Sequence, residues 1–312
     1  MPRGLVRSRY LLAMFVAWPR AAHAATPFED PYDLPNAPRP PTLPELTHPD
    51  IEGTFESTFG VLAPKANTPS WSNSSTVYIQ RLGVEVPIGP RRWFVGANYE
   101  AAFGDPPDAP GPAKMVGGNL EAYGRGVWAT RSGLAFGGGL GMMLPTAHFD
   151  RDSSASKIAT AAAAVRPWDY TFFDVDALTA RPFVDMRAVD GRFVIQFRAQ
   201  LHWSFLSGQA TRSTLAGTTS IYVGYRVGVI GAGLEAFELY FIDAPVADNA
   251  RAYFAVSPSL RLMTPWVQPA LSFLTSIADP LYPSSAHAIG VRIAFTGVWD
   301  RTLKRIEPQN AE

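Results

Sequence analysis

Apolar and polar side chains alternate along residues 192–205 more clearly than anywhere else in the chain. The odd positions, from Phe193 to Phe205, are all apolar, whereas the even positions are polar apart from Val194. Successive side chains of a β-strand point to opposite faces. The segment is therefore predicted to be a strand whose two faces meet different surroundings.

The same period recurs and predicts further strands, most of them longer than the ~5–6 residues of ordinary strands. They are long enough to cross a bilayer at a tilt, which takes about 9–11 residues. The twelve predicted strands are 53–62, 76–88, 92–103, 116–129, 133–145, 181–189, 192–205, 219–230, 233–242, 251–263, 266–276 and 286–298. Their length and even number indicate an all-β fold, an antiparallel up-and-down transmembrane β-barrel.

Short and long connections alternate between the predicted strands, and residues 146–180 form the longest connection. This alternation is typical of barrels with short periplasmic turns and longer extracellular loops, and it places both chain ends in the periplasm. The short turns are predicted at Gly89-Pro90-Arg91, Thr130-Arg131, Asp190-Gly191, Gly231-Ala232 and Thr264-Pro265.

Four tryptophans, Trp93, Trp128, Trp266 and Trp299, lie at the turn-side ends of the predicted strands. Tryptophan is enriched where a membrane protein meets the lipid headgroups. The placement predicts an aromatic girdle around one rim of the barrel.

Composition narrows the possible chemistry. The 27 Lys and Arg residues balance 27 Asp and Glu residues, so no basic surface for nucleic acid is expected. The chain contains 0 cysteines, which excludes disulfides, thiolate metal sites and cysteine nucleophiles. Its histidines form no ligand cluster, so neither a metal nor a cofactor is expected.

Four regions are predicted along the chain. Residues 1–24 have the basic start, short apolar run and Ala-His-Ala ending of a cleaved signal peptide. Residues 25–50 are rich in proline and are predicted to be a periplasmic tail. The barrel covers 51–299, and 300–312 form a charged C-terminal tail.

With these features the chain resembles Gram-negative outer-membrane β-barrel proteins of the porin-like kind. Gly290, Ile293 and Phe295 in the last predicted strand resemble the C-terminal signal that the barrel-assembly machinery reads in such proteins. The resemblance implies a location in the bacterial outer membrane, with its lipids and the assembly machinery as partners and a small solute as cargo. It points to no single family.

If the apolar strand faces meet lipid, the polar faces meet the lumen. The predicted inward charges have both signs, so they either pair and fill the barrel or line a narrow path for solute. We expect a passive channel for small hydrophilic or amphiphilic solutes. The alternative function is that of a closed structural or surface-interaction barrel. The alternative fold is a soluble secreted β-sandwich. The predicted pore-lining residues are Arg198, Arg226, Arg292, Arg125, Glu121, Glu238, Glu100, Gln196 and Gln200.

Within the long connection 146–180, an alanine-rich stretch from Ser156 to Val165 predicts a helix that begins after several serines and ends before Pro167. The connection resembles the constriction loops that fold into porin lumens, where it would act as a gate. The alternative is a helix exposed on the cell surface.

An enzymatic interpretation depends on His202 and Ser204, which resemble the His-x-Ser pair of outer-membrane lipid hydrolases. In those families the pair faces lipid, and a further residue orients the histidine. Here both side chains share the polar face, and Ala216 stands at the position expected for the orienting residue. We therefore expect no catalytic residues and no enzyme.

Overall fold

In the computed structural model, the described residues are 51–64, 75–88, 92–105, 114–150, 153–206, 213–243, 252–264, 267–277 and 285–299. They form the predicted number of strands, and no helix among them is long and apolar enough to cross a membrane. The predicted signal peptide and both predicted tails lie outside the described residues. The strands are β1 (Ile51–Pro64), β2 (Ser75–Ile88), β3 (Trp93–Asp105), β4 (Lys114–Ala129), β5 (Leu134–Leu144), β6 (Ala177–Asp190), β7 (Phe193–Leu206), β8 (Ser213–Val227), β9 (Ile230–Asp243), β10 (Ala252–Leu262), β11 (Val267–Ser276) and β12 (Ser285–Trp299).

The strands form one closed barrel in which each pairs with its neighbours in sequence and β12 pairs with β1. All pairings are antiparallel, and at the closing seam Phe55 lies opposite Phe295. Closure leaves no strand edge with unpaired backbone groups, as a sheet in hydrocarbon requires. The predicted barrel is confirmed, and the β-sandwich alternative is wrong.

The two faces of the wall differ as the alternating pattern predicts. Large apolar side chains lie exposed on the outside, for example Val184 at 57% and Leu82 at 55%. Charged side chains lie buried inside, such as Glu100 at 0% and Arg187 at 1%. This inverted arrangement is typical of a barrel that meets lipid outside and polar groups inside.

Short and longer connections alternate between the strands, as predicted. The predicted turn Gly89-Pro90-Arg91 and Pro265 lie outside the described residues, and the β4–β5 turn spans 130–133 and not only Thr130-Arg131. Two further turns are shifted. The β6–β7 turn falls at Gly191 and Arg192, one residue later than predicted. The β8–β9 turn falls at Gly228 and Val229, so the predicted turn at Gly231-Ala232 is wrong. Gly191 and Gly228 adopt φ values of 57° and 58°, which two-residue hairpin turns favour and glycine adopts without strain.

The aromatic girdle is confirmed at two positions. Trp93 and Trp128 lie at the turn-side ends of β3 and β4, each about half exposed, and their rings meet edge to face with centroids 6.0 Å apart. The side chains of Trp266 and Trp299 lie outside the described residues.

The long connection between β5 and β6 folds into the lumen. It contains an α-helix, α1 (Ser154–Val165), and a 3-10 helix (Pro167–Phe173), which together form the plug, residues 154–173. The Ser153 hydroxyl caps α1 by accepting a hydrogen bond from the backbone of Ser156 at 3.3 Å. The predicted helix and its constriction-loop position are confirmed, and the surface-exposed alternative is wrong.

Helix α1 packs against the wall on one side of the lumen. Ile158 and Val165 belong to an apolar cluster with Leu62 of β1, Val77 of β2 and Ala288 of β12. Close approach is possible because Gly60 has no side chain: a Cβ there would lie 2.5 Å from both Cγ atoms of Val165. Substituting this glycine therefore requires the plug or the wall to move.

Two aromatic side chains of the 3-10 helix pack against β9. Trp168 meets Phe237 of β9 edge to face at 5.6 Å, and Tyr170 meets Phe241 in the same way at 5.7 Å. The alternating apolar residues of β9 therefore face the plug and not lipid. Because of this reversal, Glu238 lies on the outer face of β9, and its predicted lumen position is wrong.

The inverted arrangement predicts a position-dependent cost for charge on the outer face. Leu271 lies near the middle of β11 and is 51% exposed. We expect Leu271→Arg to lower the free energy of unfolding by about 2–4 kcal/mol, the cost of arginine at the bilayer midplane of a barrel's lipid face. Urea unfolding in phosphatidylcholine vesicles measures it. Val229→Arg in the β8–β9 turn is the control, and an equal loss at both positions would contradict the membrane orientation.

Candidate functional site

A buried arginine joins the plug to the barrel wall. Arg166, between α1 and the 3-10 helix, is 1% exposed. Its guanidinium lies 2.6 Å from the carboxylate of Asp169, which belongs to the plug. It also lies 3.2 Å from Glu56 of β1 and 3.2 Å from Glu100 of β3. One guanidinium therefore links the plug to two strands of the wall.

Two wall arginines complete this group. Arg81 of β2 lies 3.0 Å from Asp169 and 3.8 Å from Glu100, and Arg292 of β12 donates two hydrogen bonds to Glu56. These three arginines and three carboxylates form the central clamp: Arg81, Arg166, Arg292, Glu56, Glu100 and Asp169. Its charges balance, which buried ions require because an unpaired charge in this environment is costly.

Further contacts fix the plug to β4 and β6. Arg181 of β6 pairs with Glu121 of β4 at 2.9 Å and donates to the backbone carbonyl of Trp168 at 3.3 Å. Asn119 donates to the backbone carbonyls of Thr171 at 3.0 Å and Asp174 at 2.7 Å. The plug is thus anchored around much of the lumen.

A β-bulge positions Asn119 for this task. Gly118 and Asn119 of β4 lie opposite the single residue Glu100 of β3, where the register of the pairing shifts between Tyr99 and Ala101. Both bulge residues lie buried, because the extra residue changes which positions of β4 face the lumen.

The turn-side half of the lumen contains separate ion pairs. Arg125 donates to Glu85 at 2.9 and 2.6 Å, and its guanidinium lies 4.3 Å above the ring of Phe94. Arg198 pairs with Asp185 at 2.7 and 2.8 Å. Such two-pronged pairs hold arginine in a fixed orientation. Both ion pairs join residues of the wall to each other and include no residue of the plug.

A polar cavity of about 110 Å³ lies below the central clamp. It is large enough for several ordered waters, since a water needs about 10–15 Å³ of such volume. Its lining contains charges of both signs together with amides and hydroxyls, including Glu52, Asn98, Gln200, Arg261, Ser220 and Thr296. The lumen therefore contains a water-compatible space that the plug covers on its loop side.

The predicted pore-lining residues fall into three groups. Arg226 lies at the turn end of β8, where its Nε donates to the carbonyl of Gly228 at 2.6 Å. Glu238 lies outside, as described above. The others lie on the lumen face: Arg198, Arg292, Arg125, Glu121, Glu100, Gln196 and Gln200. Their role in lining a path for solute stays a prediction.

Arg166, Asp169, Arg181 and Asn119 were not among the predicted site residues. Arg166 and Asp169 follow the predicted helix. The only sign of their role in the sequence is that an arginine and an aspartate, three residues apart, come directly after an apolar stretch. Their partners lie far away in sequence, with Glu56 110 positions before Arg166. Local patterns carry no information about such pairings.

The histidine and serine of the hydrolase interpretation are both buried on the lumen side. His202 Nε2 lies 3.2 Å from the hydroxyl of Thr218, and the Ser204 hydroxyl lies 2.8 Å from that of Thr179. The ring of His202 also stacks near Tyr170 of the plug, with centroids 5.2 Å apart. Through these contacts His202 joins β7 to β8 and to the plug, and Ser204 joins β7 to β6.

The central clamp predicts that the plug can be loosened without unfolding the wall. Arg166→Gln removes the positive charge that lies beside three buried carboxylates. Breaking a buried ion pair in this way lowers stability by about 3–5 kcal/mol. We expect faster amide hydrogen exchange across 154–173 while strand amides stay protected. Arg125→Gln is the control, because it breaks a similar pair away from the plug. Equal acceleration in plug and strands would contradict a separate role for the clamp.

Comparisons with known proteins place the fold. A scan against protein-family models and a search of curated proteins find no match. An outer-membrane channel from Pseudomonas putida F1 matches with a TM-score of 0.56 and 12% identity, over 84% of this chain and 100% of that chain. The KdgM porin in complex with oligogalacturonate matches with a TM-score of 0.44 and 9% identity, over 79% and 99%. A FadL homologue from Pseudomonas aeruginosa gives 0.42 and 8%, over 81% and 90%. The likeness to the Pseudomonas putida channel, with its TM-score above 0.5, shows that the chain has the fold of a bacterial outer-membrane β-barrel.

Proposed function

We propose that this protein is an outer-membrane channel for small hydrophilic or amphiphilic solutes, in which the plug acts as the gate. The main support for the proposal is the polar lumen, in which charges of both signs balance and a cavity with room for several waters lies next to the plug. A path for polar solutes needs such a lining. The shared fold with an outer-membrane channel is consistent with it.

The plug has features that suit a movable element. Several of the buried residues of α1 are alanines, namely Ala159, Ala161, Ala162 and Ala164, so each buries little apolar surface. Much of the polar attachment comes from ion pairs of the central clamp, whose carboxylates can exchange partners between Arg81, Arg166 and Arg292. Movement of the plug would then leave Glu56 with Arg292 and Glu100 with Arg81.

A cysteine lock tests the gate directly, because the natural chain contains 0 cysteines. A Cβ at position 60 would lie 3.0 Å from the Cβ of Val165, close to the about 3.5–4.5 Å that a disulfide spans. The double variant Gly60→Cys with Val165→Cys should therefore tie the plug to β1 on oxidation. We expect the oxidised protein to give no single-channel steps in planar bilayers, and reduction to restore the steps of the natural protein.

The Val165→Cys variant, treated with the same oxidant, is the matched control. It keeps Gly60, cannot form the disulfide and should conduct like the natural protein. Equal conductance of the oxidised and reduced double variant would show that the plug is not the gate. No steps from the natural protein would reject the channel and leave the closed structural or surface-interaction barrel.

A further inference from the structure

A carboxylate lies on the outer face of the barrel. Glu238 lies near the middle of β9, with exposed Leu234 and Tyr240 on the same face. The hydroxyl of Thr219, the neighbour on β8, donates to Glu238 at 3.3 Å. An ionisable residue at this depth of a hydrocarbon belt is expensive, and where it occurs it marks a functional position.

Glu238 borders a groove of about 480 Å³ on the outer surface between β6 and β9. Val184, Leu201 and Tyr240 give the groove apolar walls. Gly217 leaves its floor open: a Cβ there would meet only Ile242 and Leu201, at 3.8 and 3.9 Å. The volume lies within the range of about 300–1,000 Å³ of pockets for small molecules.

The groove thus offers apolar walls and one charged acceptor, in surroundings where water supplies no donors. We propose that this groove is a binding site for small amphiphiles that combine an apolar body with an amine or hydroxyl donor. The donor bonds the carboxylate of Glu238, and the apolar body covers Val184 and Leu201. The site lies outside the lumen, so it does not depend on the proposed channel.

A second outer groove provides an internal control. It lies between β11 and β4, has a volume of about 540 Å³ and has apolar side chains such as Phe55 and Leu82 in its lining. No charged side chain lines it. It therefore matches the first groove in size and in its largely apolar lining but has no carboxylate.

The test uses decylamine, decanol and decanoate, each with a photoreactive diazirine on the alkyl chain, added to the full chain in phosphatidylcholine nanodiscs. Cross-linked residues are mapped by mass spectrometry. We expect decylamine to label the Glu238 groove about tenfold more than the control groove, as one charge-assisted hydrogen bond implies. Decanol should show the same preference more weakly, and decanoate should show none.

Variants separate the charge from the shape of the groove. Glu238→Gln should reduce decylamine labelling of the groove about tenfold while retaining labelling by decanol, because the amide still accepts a hydrogen bond. Gly217→Leu should reduce labelling by both probes, since its side chain fills the floor. Leu82→Ala, in the control groove, should leave both unchanged. Heat-dependent migration in detergent gels checks that each variant is folded.

Three results would overturn the proposal. Equal labelling of the two grooves by decylamine would show that the Glu238 carboxylate does not select the ligand. Decylamine labelling that is unchanged in Glu238→Gln would show that this carboxylate does not bind the amine. A cross-linked dimer joined through Leu201 or Tyr240 would show that a second copy of the chain covers the groove.

Discussion

Hydrocarbon offers no hydrogen bonds, and this constraint accounts for the arrangement of the whole wall. Every strand must satisfy its backbone through its neighbours, so the sheet closes at the pairing of β1 with β12. Apolar side chains then occupy most of the outside, and the strands bury most of their ionisable side chains in the lumen, with Glu238 as an exception.

Confining charges of both signs to a narrow space makes neutralisation the next requirement. The wall supplies two carboxylates and two arginines at the level of the central clamp, and the plug adds Arg166 and Asp169, which carry opposite charges. The plug can therefore enter or leave this level without changing its net charge. This balance suits the proposed gate, because it lets one segment fill the lumen and still move.

The strands were predictable because each carries its own two-faced pattern, as β7 shows between Phe193 and Ser204. β9 shows the limit of this reasoning: Phe237 and Leu239 face inward because Trp168 of the plug meets them there, so Glu238 was assigned to the wrong side. The β8–β9 turn was misplaced because several nearby glycines fit a turn equally well, and only the register of the strands selects Gly228. The central clamp was missed because its partners come together only in the closed barrel.

The position of the plug constrains the order of assembly. Val165 comes from the middle of the chain, yet it fits beneath Gly60 and Gly290, on the first and last strands. Those two strands become neighbours only when the sheet closes, so the surface that receives Val165 is complete only then. The final packing of the helix therefore forms together with the closed barrel or after it.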